Sequence, residues 1–269
     1  MMSTVSKSTR EARTREFISI TGASTTEAAR YLKASNWRIE SALDGYFNDP
    51  RSSSGSSPST NGGGQGSNVA GLTKNLEGLW KKYSDTEEIG LEGTMRYCED
   101  ISVNPEELEM LGLAWFTKAP TMGRFTKSNW VKSWVAVQGD TIEKQKEYVD
   151  GLRNKLKQPD TFREVYNYSF DYAKQEGQKS MPFEIAQELW NLLIPLDPGG
   201  SKGQFSSERL EMWNSFLIEN GSKVISKDTW ILFLEFTRTI DDKFEQYDEE
   251  AAWPSLIDDF VAYVRKRLQ

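Results

Sequence analysis

Apolar residues recur at three- and four-residue spacing along most of the chain, and no stretch alternates with period two for long enough to argue a real sheet. The spacing predicts helices over 73–83 (Leu76, Leu79, Trp80), 91–101 (Leu91, Met95, Tyr97, Cys98, Ile101), 105–117 (Leu108, Leu111, Leu113, Trp115) and 126–137 (Trp130, Trp134, Val135). Further helices are predicted over 141–156, 159–174, 182–194, 206–219, 227–243 and 254–268. In the last of these Ile257, Phe260, Val261, Val264 and Leu268 share one face, while Asp258 and Arg265 fall outside it. Pro254 suits its first turn, where a missing N–H costs nothing, and its acidic residues come first and its basic residues last, along the helix dipole. Trp253, Leu256 and Phe260 are expected to form the buried side that fixes this acidic edge. The fold class that follows is all-α, with at most two-residue β bridges between loops.

The pattern stops at residues 51–69, RSSSGSSPSTNGGGQGSNV, which offer almost nothing to bury. Such a stretch reads as a flexible linker; at roughly 5–6 Å × √n, about twenty residues span on the order of 25 Å. It divides a small unit, 8–50, from a large one, 70–269. The small unit reads as three short helices. Phe17 and Ile18 lie on the first, and Ala28, Tyr31 and Leu32 on the second after Thr25 or Thr26 as a cap. Ile39, Ala42, Leu43, Tyr46 and Phe47 lie on the third. About forty residues is near the lower limit for folding unaided.

Charge changes the picture. The net charge is −7, and the segment from Lys227 to Asp259 holds ten Asp/Glu against three Lys/Arg, which is the whole excess. An acidic surface does not suit phosphate binding, so no nucleic-acid role is expected, and a partner with a basic patch is the natural complement. The chain has one cysteine, Cys98, and no histidine. Those counts exclude a Cys/His zinc site, a Ser-His or Cys-His nucleophile and an intrachain disulfide. Cys98 beside Tyr97 and Met95 reads as a buried helical position, not as a thioester carrier. Nothing resembles a signal peptide or a membrane span, and Met1-Met2-Ser3 lacks the glycine needed for myristoylation. A soluble protein of the cytoplasm, the nucleus or both is expected, with no membrane partner.

Two helix pairs enclose short loops, YSDTEEIGLEGTMRYC and AKQEGQKSMPFEIAQELW, whose spacing resembles an EF-hand. A calcium loop needs oxygen ligands at positions 1, 3 and 5 and a bidentate Glu at 12. In the first loop Ser84, Thr86 and Glu88 stand at 1, 3 and 5 but Met95 at 12; in the second Lys174, Glu176 and Gln178 stand at 1, 3 and 5. The expectation is EF-hand-like geometry without metal, and no cofactor.

The small unit's FISITGAS…AARYLKASNWRIESALDGYF resembles a ubiquitin-associated (UBA) domain. The resemblance implies a ubiquitin-type surface at Thr21, Gly22, Ala23, Leu43 and Phe47, with Thr21 and Ala23 replacing the bulkier loop residues usual in that family. In the large unit IGLEGTMRYCEDISVNP, MLGLAWFTKA, YNYSFDYAKQEGQKSM, LEMWNSFLIENG, ISKDTW and YDEEAAWPSLIDDF resemble the PONY (potentiating neddylation) domain of the defective-in-cullin-neddylation family. The resemblance implies a scaffold-type co-E3 without chemistry of its own. Such a protein holds a cullin C-terminal domain and the N-acetylated neddylation E2 beside the RING subunit of the ligase, so that the ubiquitin-like modifier passes to a cullin lysine. By motif, the cullin-binding acidic patch maps to Asp228, Ala252 and Asp258. The pocket for the acetylated E2 N-terminus maps to Leu91, Thr94, Met110, Leu113, Ala114, Met122, Phe125, Tyr172, Leu189 and Leu192. Thr94 and Met122 depart from the family pattern in polarity or size. The alternative is a ubiquitin-binding adaptor or shuttle without a ligase role, served by the small unit.

Overall fold

The computed structural model describes residues 7–21, 23–47, 66–84, 87–200, 205–241 and 243–268. The chain forms two compact units, Met1–Asn75 and Leu76–Gln269.

The first unit contains α1 (Lys7–Thr21), α2 (Thr25–Ala34) and α3 (Ile39–Phe47) around Phe17, Ala28, Leu32 and Ala42. Tyr46 meets Phe17 and Tyr31 edge to face, its ring centroid 5.6 Å and 5.1 Å from theirs. The cap of α2 is Ser24, not Thr25 or Thr26. The Ser24 hydroxyl accepts from the Glu27 N–H, and the Glu27 carboxylate accepts from the Ser24 N–H. The S-x-x-E spacing makes this reciprocal capping box available only to Ser24. Hydrogen bonds from Ser24 also hold the Glu27 carboxyl below its ordinary pKa.

The expected linker lies mostly outside the described residues, and its last four, 66–69, are helical instead. Here α4 (Gly66–Tyr83) begins seven residues before the predicted start at 73. Half-buried Val69 and buried Leu72 and Leu76 continue one apolar stripe upstream, and that stripe carries the helix back into the Gly/Ser-rich sequence.

In the second unit α5 (Leu91–Asp100), α6 (Leu108–Thr117), α7 (Lys127–Ala136), α8 (Ile142–Lys155), α9 (Pro159–Ala173), α10 (Phe183–Leu193), α11 (Ser207–Glu219), α12 (Lys227–Thr239) and α13 (Ser255–Leu268) follow α4. The helix-pair loops meet in antiparallel ladders. β1 (Glu88–Ile89) pairs with β2 (Phe125–Thr126), setting Ile89 opposite Phe125, and β3 (Ser180–Pro182) pairs with β4 (Val224–Ser226), setting Met181 opposite Ile225. The second ladder runs to three residues, one more than the sequence led us to expect.

Two helix ends differ from the periodic pattern. The stretch 105–107 precedes α6 because the Asn104 side chain accepts from the Glu106 N–H, favouring a turn over a helix. Ile240, Asp241 and Lys243 are not helical: α12 stops at Thr239, and the Asp241 carboxylate gathers the N–H groups of Lys243, Glu245 and Gln246.

The core is dense in aromatic rings. Trp230 stacks on Tyr166 at 4.5 Å and on Trp190 at 5.2 Å, and Phe260 of α13 meets Trp213 at 5.0 Å. In the Tyr166–Trp190–Trp230 stack the polar atoms are paired: Trp190 Nε1 donates to the Tyr166 hydroxyl, which donates to the Trp230 carbonyl, and Trp230 Nε1 donates to the Tyr166 carbonyl, whereas the buried Trp213 Nε1 has no partner among the described residues. Ile257, Phe260, Val261 and Val264 are buried as α13's spacing requires, Trp253 and Leu256 are half-buried, and the Leu268 side chain lies outside the described residues. Among the described residues, one ion pair is buried on both sides: the Arg238 guanidinium grips Asp197 with two bonds of 2.7 Å, tying the turn after α10 to the end of α12. No helix among the described residues is long and apolar enough to cross a membrane.

Candidate functional site

Gly93 determines how α5 seats. A β-carbon there would run into the Tyr83 carbonyl oxygen, so only glycine lets α5 approach the end of α4 this closely. The buried arc of α5 is Gly93, Thr94, Tyr97 and Cys98. Leu91 and Met95, one turn apart, fall outside that arc and are 69% and 52% exposed. The sequence reading placed Met95 with the core, and the structure corrects it: Met95 follows Thr94 by 100° around the helix and faces out. Met122, 51% exposed, stands on a tight turn from Thr121 to Arg124, closed by the Arg124 N–H donating to the Thr121 carbonyl. Gly123 takes φ +69° at the third position of that turn, where glycine carries no steric cost.

Three contacts gather this region. The Thr94 hydroxyl donates to the Gly123 carbonyl at 3.0 Å, the Met122 N–H donates to the Tyr172 carbonyl at 3.1 Å, and Leu91 lies over Gly123. Four of the ten pocket residues therefore converge on one turn: Leu91, Thr94, Met122 and Tyr172. Met110, Leu113, Ala114, Phe125 and Leu189 are buried core positions here, not lining open to solvent, and Leu192 is half-buried on α10. Leu113 and Ala114 have no exposed surface, and the Tyr168 hydroxyl donates to the Ala114 carbonyl. A groove of about 460 Å³ lies elsewhere, between Val137 and Gln138 after α7 and Lys144, Tyr148, Gly151 and Lys155 on α8, and includes none of these residues. The missed signal for Met95 was an apolar pair at i, i+4 standing off the buried arc.

Asp228, Ala252 and Asp258 are all exposed. Asp228 occupies the first turn of α12, whose Ser226 cap accepts from the Thr229 N–H at 3.0 Å, and Asp258 the first turn of α13. Ala252 lies inside a three-residue turn in which the Trp253 N–H donates to the Ala251 carbonyl at 2.8 Å. The Trp253 ring rests 6.0 Å from both Tyr247 and Phe236, and the Tyr247 hydroxyl donates to the Asp258 carboxylate. Burial, and then that bond to Asp258, pushes the Tyr247 phenol well above its ordinary pKa. Tyr247 thus joins Ala252 and Asp258. Asp228 stands eight residues before Phe236 along α12, about 12 Å of helix rise from the residue that meets Trp253.

In the first unit the structure corrects two residues of the ubiquitin-type surface. Thr21 and Ala23 are buried, 7% and 5% exposed. The Thr21 hydroxyl donates to the Phe17 carbonyl and accepts from the Ala23 N–H, turning this loop inward. Gly22 and the side chains of Leu43 and Phe47 lie outside the described residues.

Cys98 is buried, its Sγ 3.6 Å from Met110 Sδ, and burial pushes its thiol up to about 11. In the first loop the Glu88 carboxylate accepts from the Arg124 guanidinium at 2.9 Å, and Thr86 lies outside the described residues. Among the described residues no three His, Cys, Asp or Glu are grouped to hold a metal ion.

A three-helix unit ahead of a larger helical domain with ladder-joined loops defines a two-domain, all-α class of protein. The family model for a UBA-like domain matches residues 12–53, and that for cullin binding matches 144–263. Defective in cullin neddylation protein 1 of Mycosarcoma maydis is 33% identical over 96% of this chain and 95% of its own length. The protein of that name from Cryptococcus neoformans is 33% identical over 94% and 92%. DCN1-like protein 4 of Homo sapiens is 37% identical over 69% of this chain and 61% of its own. The chain belongs to the defective-in-cullin-neddylation family.

Proposed function

We propose that this protein acts in cullin neddylation as a scaffold-type co-E3, binding a cullin C-terminal domain and the N-acetylated neddylation E2 beside the RING subunit. Its contribution is proximity: a weak E2–cullin encounter becomes a held one, and no group of the scaffold reacts. The family's name and the cullin-binding match support the pathway. The observation that carries the two-surface reading is the pairing, within one domain, of an exposed apolar stripe with exposed acidic helix starts.

The stripe of Leu91 and Met122 at the Thr121–Arg124 turn receives the E2 N-terminus, an amphipathic helix with a buried anchor. Acetylation removes the terminal charge, whose burial against apolar side chains would cost several kcal/mol. Leu113, Ala114 and Phe125 lie in the closed core. The carboxylates of Asp228 and Asp258 receive a basic cullin surface, and small Ala252 lets it approach.

Reversing Asp228 and Asp258 together to Lys should reduce cullin binding by roughly two orders of magnitude and leave helicity and E2-peptide binding unchanged. Calorimetric titration with a cullin C-terminal domain and with acetylated and unacetylated E2 peptides reads both. Cullin binding that survives the double reversal would sink the acidic-patch assignment.

A further inference from the structure

The groove beside α8 is a built feature of the fold. Gly139, in the turn that ends α7, lies so close to the Trp134 indole that a β-carbon there would collide with the ring. Its N–H donates to the Trp134 carbonyl at 2.8 Å, and its carbonyl accepts from the buried Gln145 side chain of α8 at 2.8 Å. That lock holds Val137 and Gln138 along one side of the groove of about 460 Å³. The Tyr148 ring, which also lines it, packs on Phe116 at 4.3 Å and Trp134 at 5.5 Å. Two further features point to a ligand. Gly151 stands inside α8, where glycine is a poor helix former, and nothing in the fold asks for it: a β-carbon there would meet no atom within 4 Å. Its missing side chain keeps the groove open. The Lys155 ammonium, 5.3 Å from the centre of the Tyr148 ring, has no carboxylate partner among the described residues. Lys144, paired with the nearly buried Asp140, lines the opposite end, about 16 Å of helix rise away, and Glu147 lies between the two lysines. The neighbourhood is basic: residues 118–157 hold nine Lys/Arg and four Asp/Glu, a balance of +5, against −7 for 227–259.

We propose that this groove docks an extended acidic peptide, with a carboxylate at each end and apolar residues between. One carboxylate meets Lys144 and the other Lys155, while the apolar middle lies over Gly151 against Tyr148 and Val137. Glu147 repels a carboxylate from that middle. An extended chain advances about 3.3 Å per residue, so acids five positions apart match the two lysines. The groove shares no residue with the surfaces assigned above to the cullin and the E2, so it is a third site, for a further protein bearing such a segment.

The test is an amide-resolved NMR titration of the full chain with acetyl-Glu-Ala-Leu-Leu-Ala-Glu-amide, and with the counterpart in which both Glu are Gln. Shifts should concentrate at residues 137–155, the Gln peptide should bind roughly tenfold more weakly, and the affinity of the Glu peptide should fall with added salt. Gly151→Leu fills the groove with a better helix former, so it should melt no lower than wild type and lose the peptide. Lys155→Gln should weaken the Glu peptide roughly threefold. Absence of binding by wild type, equal binding of the Gln peptide, shifts centred elsewhere, or binding retained in Gly151→Leu would each overturn the proposal. Displacement of the peptide by inorganic phosphate at equal concentration would overturn it in favour of a simple anion site.

Discussion

Asp197 and Arg238 show how a single pair of residues can organise a junction. Their side chains are 4% and 8% exposed, and the guanidinium lies directly under Gly199, where any β-carbon would collide with it. The side-chain bond to Asp197 holds the Arg238 pKa above its ordinary value. Removing one partner of such a pair leaves a buried charge without compensation. Arg238→Ala is therefore expected to destabilise the second unit by about 3 kcal/mol, read as a lower urea midpoint at unchanged slope; a loss near zero would show that water reaches Asp197. Cys98 illustrates the opposite case. With its thiol pushed up by burial and no histidine in the chain, it remains a neutral core side chain at neutral pH.

At the scale of elements, α5 is the most constrained placement. Its contact with the end of α4 passes through Gly93, so Gly93→Ala should force the two helices apart at a cost of about 1–3 kcal/mol. Because α5 also carries Leu91 and Thr94, the same substitution should weaken the acetylated E2 peptide. Denaturation and peptide titration of one variant separate these effects, and a stable variant with full peptide affinity would contradict the packing described. The helices of the second unit were legible because burying one face imposes a 3.6-residue period, visible in runs such as Ile257, Phe260, Val261 and Val264. Their ends were less so: Asp241 stops α12 through side-chain bonds to backbone that periodicity does not encode, and Val69 extends α4 into a sequence composed like a linker. For the candidate site, the family resemblance pointed to Thr94 and Met122 among ten residues. That Thr94 reaches Gly123, 29 residues away, is a tertiary fact no local pattern carries. The inward turn of Thr21 and Ala23 likewise depends on a hydroxyl choosing the Phe17 carbonyl over solvent.

At the scale of the whole molecule, tyrosines set the response to alkali. Burial raises the phenol pKa of Tyr97, Tyr166 and Tyr168, and pushes Tyr172 up to about 12. A phenol whose folded pKa exceeds its unfolded one contributes stability that is complete below the unfolded value, near pH 10, and is lost as pH rises through the folded one. The melting temperature should therefore show no tyrosine-driven fall up to about pH 9 and then drop steeply through pH 11–12. Thermal melts across that range check it, and a flat profile to pH 12 would mean these rings ionise freely in the folded state.

One helix touches both candidate surfaces. On α9, Tyr172 holds the Met122 turn while its neighbour Asp171 accepts from Lys227 at 2.5 Å, immediately before Asp228. A turn and a half earlier Tyr166 is locked against Trp230 by a hydrogen bond in each direction. The apolar stripe and the start of α12 are therefore tied to neighbouring residues at the same end of one helix, not to a chain of loops. A scaffold built this way works as a gauge block. On the co-E3 reading proposed above, it rewards a cullin and an E2 whose own dimensions fit that spacing.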